Sequence, residues 1–147
     1  MHRPRRLASG FWLAPLVALA CAPRHEPVVA APAVSCPAGD SALVREIVYF
    51  GRNRPGGGTV TDAEWQAFLD QVVTPRFPRG FSIVEATGQW RGQSGVVERE
   101  RSEILTLLHG GSDADRRAVA ELAAEYKRRF RQEAVLRERT PTCARFE

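Results

Sequence analysis

A chain of 147 residues, 44% hydrophobic and 26% charged, is long enough for one domain with a real core and too short for two. Its formal net charge of +4 overstates its basic character, because Arg3, Arg5 and Arg6 fall in an N-terminal segment laid out like an export signal, and the charge without them is +1. A near-neutral chain lacks the basic field on which nucleic-acid binding draws, so no nucleic-acid partner is expected.

The arginines are followed by an apolar core, Phe11 to Ala20, which is too short for a membrane span of roughly 20 apolar residues. Two cleavage patterns close it. Ala18-Leu19-Ala20 suits ordinary signal peptidase and yields a freely soluble protein; Ala20-Cys21 suits lipoprotein processing. Lipidation of Cys21 leaves Cys36 and Cys143 as an even pair in an oxidising compartment, which favours the second pattern. The expected organisation is a signal peptide over 1–20, a lipidated Cys21 heading a Pro/Ala-rich tether over 21–40, and a domain over 41–147. Pro23, Pro27, Pro32 and Pro37 make the tether extended and semi-rigid. Ala22 rather than Asp after Cys21 directs the anchor to the outer membrane, facing the periplasm, in a cell that has one. Acyl chains such as palmitate on Cys21 would then supply the membrane contact.

Within the domain, SALVREIVYFG is rich in β-branched and aromatic residues and ends at Gly51, which reads as a strand. Thr61 and Glu64 form a capping box ahead of Trp65, Phe68, Leu69, Val72 and Val73, a helical stripe that Pro75 and Pro78 are expected to stop. GFSIVEATGQWR is a second strand, and the turn GQSG leads into a third, VVERERSEILTLLHGG. A cap signature at Ser112 to Asp115 precedes a second helical stripe of Val119, Leu122, Ala123, Tyr126 and Phe130. AVLRERTPTCARFE closes the chain as a fourth strand, expected to break or bend at Pro141.

The order βαββαβ specifies an α+β fold, the ferredoxin-like sandwich, with a four-stranded antiparallel sheet and two helices on one face. In its usual strand order, 4-1-3-2, the end of the last strand lies beside the start of the first. That places Cys143 near Cys36 and predicts a disulfide worth about 4 to 5 kcal/mol in the chain-entropy model.

Among candidate sites, YFGRNRPGGGTVTDAEW runs from strand through glycines to helix, as a phosphate loop does. A Walker loop needs a Lys where this chain has Gly57, a dinucleotide loop needs a third glycine, and Thr61 with Glu64 already satisfies the helix amides. The segment therefore reads as a connection with two arginines on its rim, and no cofactor is called for. His109 is the one histidine of the folded region; it lacks partners at zinc spacing and no G-x-S-x-G occurs, so it reads as the end of strand three and no metal is expected. Strand alternation puts Glu98 and Glu100 on one face and Arg99, Arg101 and Glu103 on the other. Cross-strand ion pairs are the first reading, and acid/base chemistry or a cation site the second. Trp90 beside Arg91 sits at a sheet edge, where it either packs or stacks on a sugar or peptide. Strands one to three carry apolar residues on both faces, and the helices cover one.

The segments YFGR, TPRFPRGFSIVEATGQWR, ERERSEILTLL and YKRRFRQEAVL resemble those of an uncharacterised bacterial family of small exported proteins known only as a domain of unknown function. The resemblance spans most of Tyr49 to Phe146. It implies an exported, single-domain protein and brings no activity or catalytic residues. The shared words coincide with Tyr49, Arg52, Trp90, Arg91, Glu100, Tyr126, Phe130 and Gln132, which become candidates for a common pocket. Ala86 and Thr87 stand where polar turn residues are expected.

The functional expectation is an exported, lipid-anchored envelope protein that dimerises or binds another envelope protein through the open sheet face. The alternative is a small enzyme of the dimeric α+β barrel type, with a pocket between two sheets where Tyr49, Arg91 or Glu100 contacts substrate.

Overall fold

The computed structural model describes residues 34–92 and 94–147. The expected signal peptide, Cys21 and most of the expected tether lie outside the described residues. In chain order come β1 (Ser41–Gly51), a first helix, β2 (Ser82–Arg91), β3 (Val97–His109), a second helix (Asp113–Phe130) and β4 (Leu136–Ala144). The strands form one antiparallel sheet in the order β2-β3-β1-β4, which is the predicted 4-1-3-2 order taken from the other edge.

Strand alternation sorts the side chains. Glu46, Val48 and Phe50 of β1 point under the helices and are buried, while Ile47 and Tyr49 lie half-buried on the open face. The first helix starts as predicted: the Thr61 hydroxyl accepts from the Glu64 N–H at 3.2 Å, and the Glu64 carboxylate accepts from the Thr61 N–H at 2.9 Å. Its apolar stripe is buried.

Pro75 does not stop it. The helix runs as Asp62–Phe68, widens into a π turn over Leu69–Val73, and finishes as Thr74–Arg76 with Pro75 inside the last turn. Proline lacks an N–H and crowds the carbonyl four residues back, and the wider turn just before it relieves both demands. The chain leaves the helix at Phe77 (φ −127°, ψ 61°), where the following Pro78 disfavours helical backbone.

The second helix carries its own capping box between Ser112 and Asp115 and buries all five residues of the predicted stripe. Two further expectations are corrected. β4 runs unbroken through Pro141, which pairs with Val44; β4 is an edge strand, where a missing N–H is tolerated. Ala86 and Thr87 sit in mid-β2, paired with Ser102 and Arg101, so the hairpin turn comes later in the chain.

Between sheet and helices lies an aromatic core. The Phe50 ring is 4.6 Å from Tyr126, 5.4 Å from Trp65 and 5.7 Å from Phe68 by centroids. Val48, Leu105, Leu107, Val119 and Leu122 fill in around them. The Cys36–Cys143 disulfide joins the approach to β1 to the end of β4, with Cα atoms 5.5 Å apart.

Candidate functional site

A cleft of about 270 Å³ opens at the end of the sheet, where the β1-to-helix loop and the segment after the second helix meet the β2–β3 hairpin. Its wall on the β1 side is the loop Asn53 to Gly58, closed by hydrogen bonds from the Arg54 N–H to the Gly58 carbonyl (2.9 Å) and from the Gly57 N–H to the Arg54 carbonyl (3.0 Å). Gly56, Gly57 and Gly58 take φ of +86°, +106° and +81°, which side-chain-bearing residues rarely adopt. The glycine cluster is thus a backbone requirement of a compact turn rather than a phosphate cradle. Gln132 ties the far wall to it, its Nε2 donating to the Asn53 carbonyl.

The floor is Glu100. Its carboxylate accepts from the Asn53 N–H at 2.9 Å and lies over Gly51, where a Cβ would come within 2.5 Å of both carboxylate oxygens. Burial pushes the Glu100 carboxyl up from the usual range; the Asn53 N–H opposes this and neighbouring Glu98 adds to it. Trp90 stands directly across from Glu98 in the strand register and Gly88 across from Glu100. Glu133 contributes a third carboxylate to the lining, whereas the Arg54 guanidinium pairs with Glu64 at 2.7 Å and lies 5.6 Å from the Phe130 ring centre.

Of the sequence candidates, Trp90, Glu100 and Gln132 therefore share this cleft. Arg52 lies in the interior, 2% exposed, with Nε donating to the Val60 carbonyl (2.8 Å), one guanidinium nitrogen to Glu103 (2.6 Å) and another to Asp62 (2.8 Å). Tyr126 and Phe130 are core residues; the Tyr126 hydroxyl donates to the Gly51 carbonyl at 2.9 Å, and burial pushes its phenol up. Tyr49 lies on the open face, its hydroxyl donating to Glu138 at 2.6 Å, a bond that raises its phenol. Arg91 is exposed and donates to the Gly95 carbonyl across the hairpin.

The charges of β3 behave largely as read. Arg101 reaches Glu85 at 2.7 Å and Asp62 at 2.9 Å, and Arg99 donates to Gln89. Glu103 departs from the pattern, since it is drawn inside by Arg52.

His109 ends β3 as expected and is buried. Its Nδ1 accepts from the Gly111 N–H at 3.0 Å, and its Nε2 faces the buried Glu46 at 3.9 Å, with Arg137 and Arg139 each 3.6 Å from the same Glu46 oxygen. Among the described residues neither Glu46 oxygen has a hydrogen-bond partner. A second hollow of about 230 Å³ lies beside this cluster, lined by His109, Asp115, Arg76 and Arg79 among others. Among the described residues no group of three or more His, Cys, Asp or Glu could hold a metal ion, and no helix is long and apolar enough to cross a membrane.

Sequence reasoning missed Asn53, Arg54 and Glu133 as cleft residues. Glu98 was visible as the partner of Glu100 on one strand face; the others reach the site through turns whose course no periodicity reports.

Comparison with solved structures returns a phage SAM lyase in complex with S-methyl-5'-thioadenosine, 20% identical over 76% of this chain and 88% of that one, with a TM-score of 0.57. The lyase in its apo state matches with a TM-score of 0.52 at 21% identity, covering 78% and 96%. CutA from Synechococcus elongatus aligns at 12% identity over 70% and 80%, with a TM-score of 0.46. At 20% and 21% identity the likeness to the lyase is one of fold. No curated protein matches the chain. A family model described as protein of unknown function, DUF3574, matches residues 45–146, and the chain belongs to that family.

Proposed function

We propose that this protein is an exported, lipid-anchored envelope protein whose domain works by self-association through the open face of its sheet. The observation that carries the reading is one row of side chains. Val84, Ile104, Tyr49 and Leu136 are register partners in succession, so they cross all four strands on the face the helices leave open. Val84 and Leu136, at the two ends of the row, are 59% and 61% exposed. An apolar band spanning a whole sheet is self-complementary about a two-fold axis, and packing it against a second copy removes it from water. Export and anchoring are supported by the basic, apolar and Ala20-Cys21 features of the N-terminus and by the disulfide, which suits an oxidising compartment.

The test is the solution mass of the chain without residues 1–20 and with Cys21→Ser, by light scattering on a sizing column across a concentration range. A dimer that Leu136→Glu converts to a folded monomer supports the reading. A monomer at every concentration rejects self-association and leaves another envelope protein as the partner.

One observation favours the second reading, a small enzyme with a pocket at the sheet: the cleft above Glu100. An organic molecule copurifying with the protein, identified by native mass spectrometry, would support it.

A further inference from the structure

We infer that the turn between β3 and the second helix is a proton-operated switch, in which His109 takes up a proton, gives up its bond to Gly111 and draws Asp115 away from the helix cap. The neutral arrangement is built around one hydrogen bond that only an unprotonated nitrogen can make. The Gly111 N–H donates to His109 Nδ1 at 3.0 Å, so Nδ1 is the acceptor and the ring proton sits on Nε2. An imidazolium carries a proton on both nitrogens and accepts nothing. Protonation therefore sets one donor against another, and the turn has little slack to absorb the change. Gly111 holds φ at +79°, and even a Cβ there would come within 2.8 Å of Val44 Cγ2.

The new partner stands next to the ring. Asp115 Oδ2 is 3.7 Å from Nδ1, and the same oxygen accepts from the Ser112 N–H at 3.0 Å and from the Ser112 hydroxyl at 2.8 Å. The cap and the ring thus compete for one atom, and a positive charge on the ring moves the balance toward it. The other charged groups around the ring come from β1, β4 and the loop after the first helix. Nε2 faces Glu46 at 3.9 Å, and Arg137 and Arg139 stand 3.6 Å from that Glu46 oxygen. Arg76 and Arg79 line the hollow of about 230 Å³ that His109 and Asp115 also line. This hollow lets a solvent proton reach a residue only 2% exposed and gives Asp115 room to turn. Burial holds the imidazole below its ordinary 6.5; Asp115 and Glu46 oppose this, and Arg139 and Arg137 add to it, so the turn is intact at neutral pH and opens in the acid range. The output is a loosened first turn of the second helix on an unchanged sheet. One chain contains the whole device, so it does not depend on the self-association proposed above.

Nitrogen-15 NMR between pH 7.5 and 4.5 tests this, using the chain without residues 1–20 and with Cys21→Ser. The His109 ring nitrogens report the proton, the Gly111, Ser112 and Asp115 amides report the turn, and the Val48 and Leu105 amides report the sheet. The ring and the Gly111 amide are expected to titrate with one midpoint. Hydrogen exchange at Ser112 and Asp115, corrected for the intrinsic effect of pH, should quicken about tenfold or more while Val48 and Leu105 stay protected. His109→Asn supplies an oxygen in place of Nδ1 and takes up no proton, so its Gly111 resonance should hold still over the same range. A ring that titrates while Gly111 does not respond overturns the proposal. So does a ring still neutral when Val48 and Leu105 lose protection, loss of protection in turn and sheet together, or the same Gly111 titration in His109→Asn. Should that variant fail to fold, the ring and amide midpoints of the chain with His109 in place still decide.

Discussion

Arg52 shows how far a residue's role depends on what surrounds it. In sequence it is one of two arginines flanking a glycine cluster, with nothing to distinguish it from Arg54. In the structure it is buried against Glu103 and Asp62, and each of its three guanidinium nitrogens donates a hydrogen bond. Removing it takes the hydrogen-bonded partner from the buried Glu103 carboxylate and leaves it facing the half-exposed Arg101 guanidinium at 3.6 Å, so Arg52→Met is expected to destabilise the fold by up to about 3 to 5 kcal/mol in urea denaturation. Arg52→Lys should recover little, since an ammonium does not reproduce the fork. His109 yields a prediction in pH. Burial holds its imidazole below the ordinary 6.5; Asp115 and Glu46 oppose this, and Arg139 and Arg137 add to it. The unfolded chain therefore binds the proton more readily than the folded one. Stability from this group is complete above about pH 6.5 and falls as the pH drops through the folded-state value. The urea midpoint should decline between pH 7.5 and 5.5, and His109→Gln should flatten that slope whatever it does to stability at pH 7.5. A slope unchanged in the variant would assign the decline to other groups.

Elements were the most legible scale, because periodicity and caps are local. Both capping boxes, both helical stripes and all four strands stand where the pattern put them. The departures at Pro75 and Pro141 share a cause. Proline's local cost is readable from sequence, but the π turn that relieves it in the first helix and the edge position that excuses it in β4 are properties of the assembled fold. The disulfide also belongs to this scale, since it links the approach to one strand with the end of another across 107 residues of sequence. Cys143→Ser should lower the stability of the oxidised protein by up to about 4 to 5 kcal/mol, and by less where the unfolded chain retains structure. Equal urea midpoints for the two proteins under oxidising conditions would show that the bridge does not stabilise the domain.

For the whole molecule, the open sheet face is the surface on which the proposed self-association rests. Val84→Lys, at the far end of the apolar row from Leu136, should dissociate the proposed dimer as Leu136→Glu is expected to, while leaving the circular dichroism spectrum in place, because both residues are exposed in the single chain. A dimer that survives both changes would mean that another surface holds it. The sequence by itself determined the βαββαβ order, the strand arrangement, the cysteine pairing and the existence of a second apolar face, all of which follow from period, handedness and count. It also put Trp90 and Glu100 among the candidates and left them mixed with Arg52, Tyr126 and Tyr49. Only the tertiary structure sorted that set, sending Arg52 and Tyr126 into the core, Tyr49 to the open face, and Trp90 with Glu98 and Glu100 to a cleft walled by Asn53 and Gln132. The physical reason is that alternation fixes which side of its own strand a residue takes. Whether that side meets a helix, a partner charge or an open hollow depends on register between strands and on turns whose course is set by contacts distant in sequence.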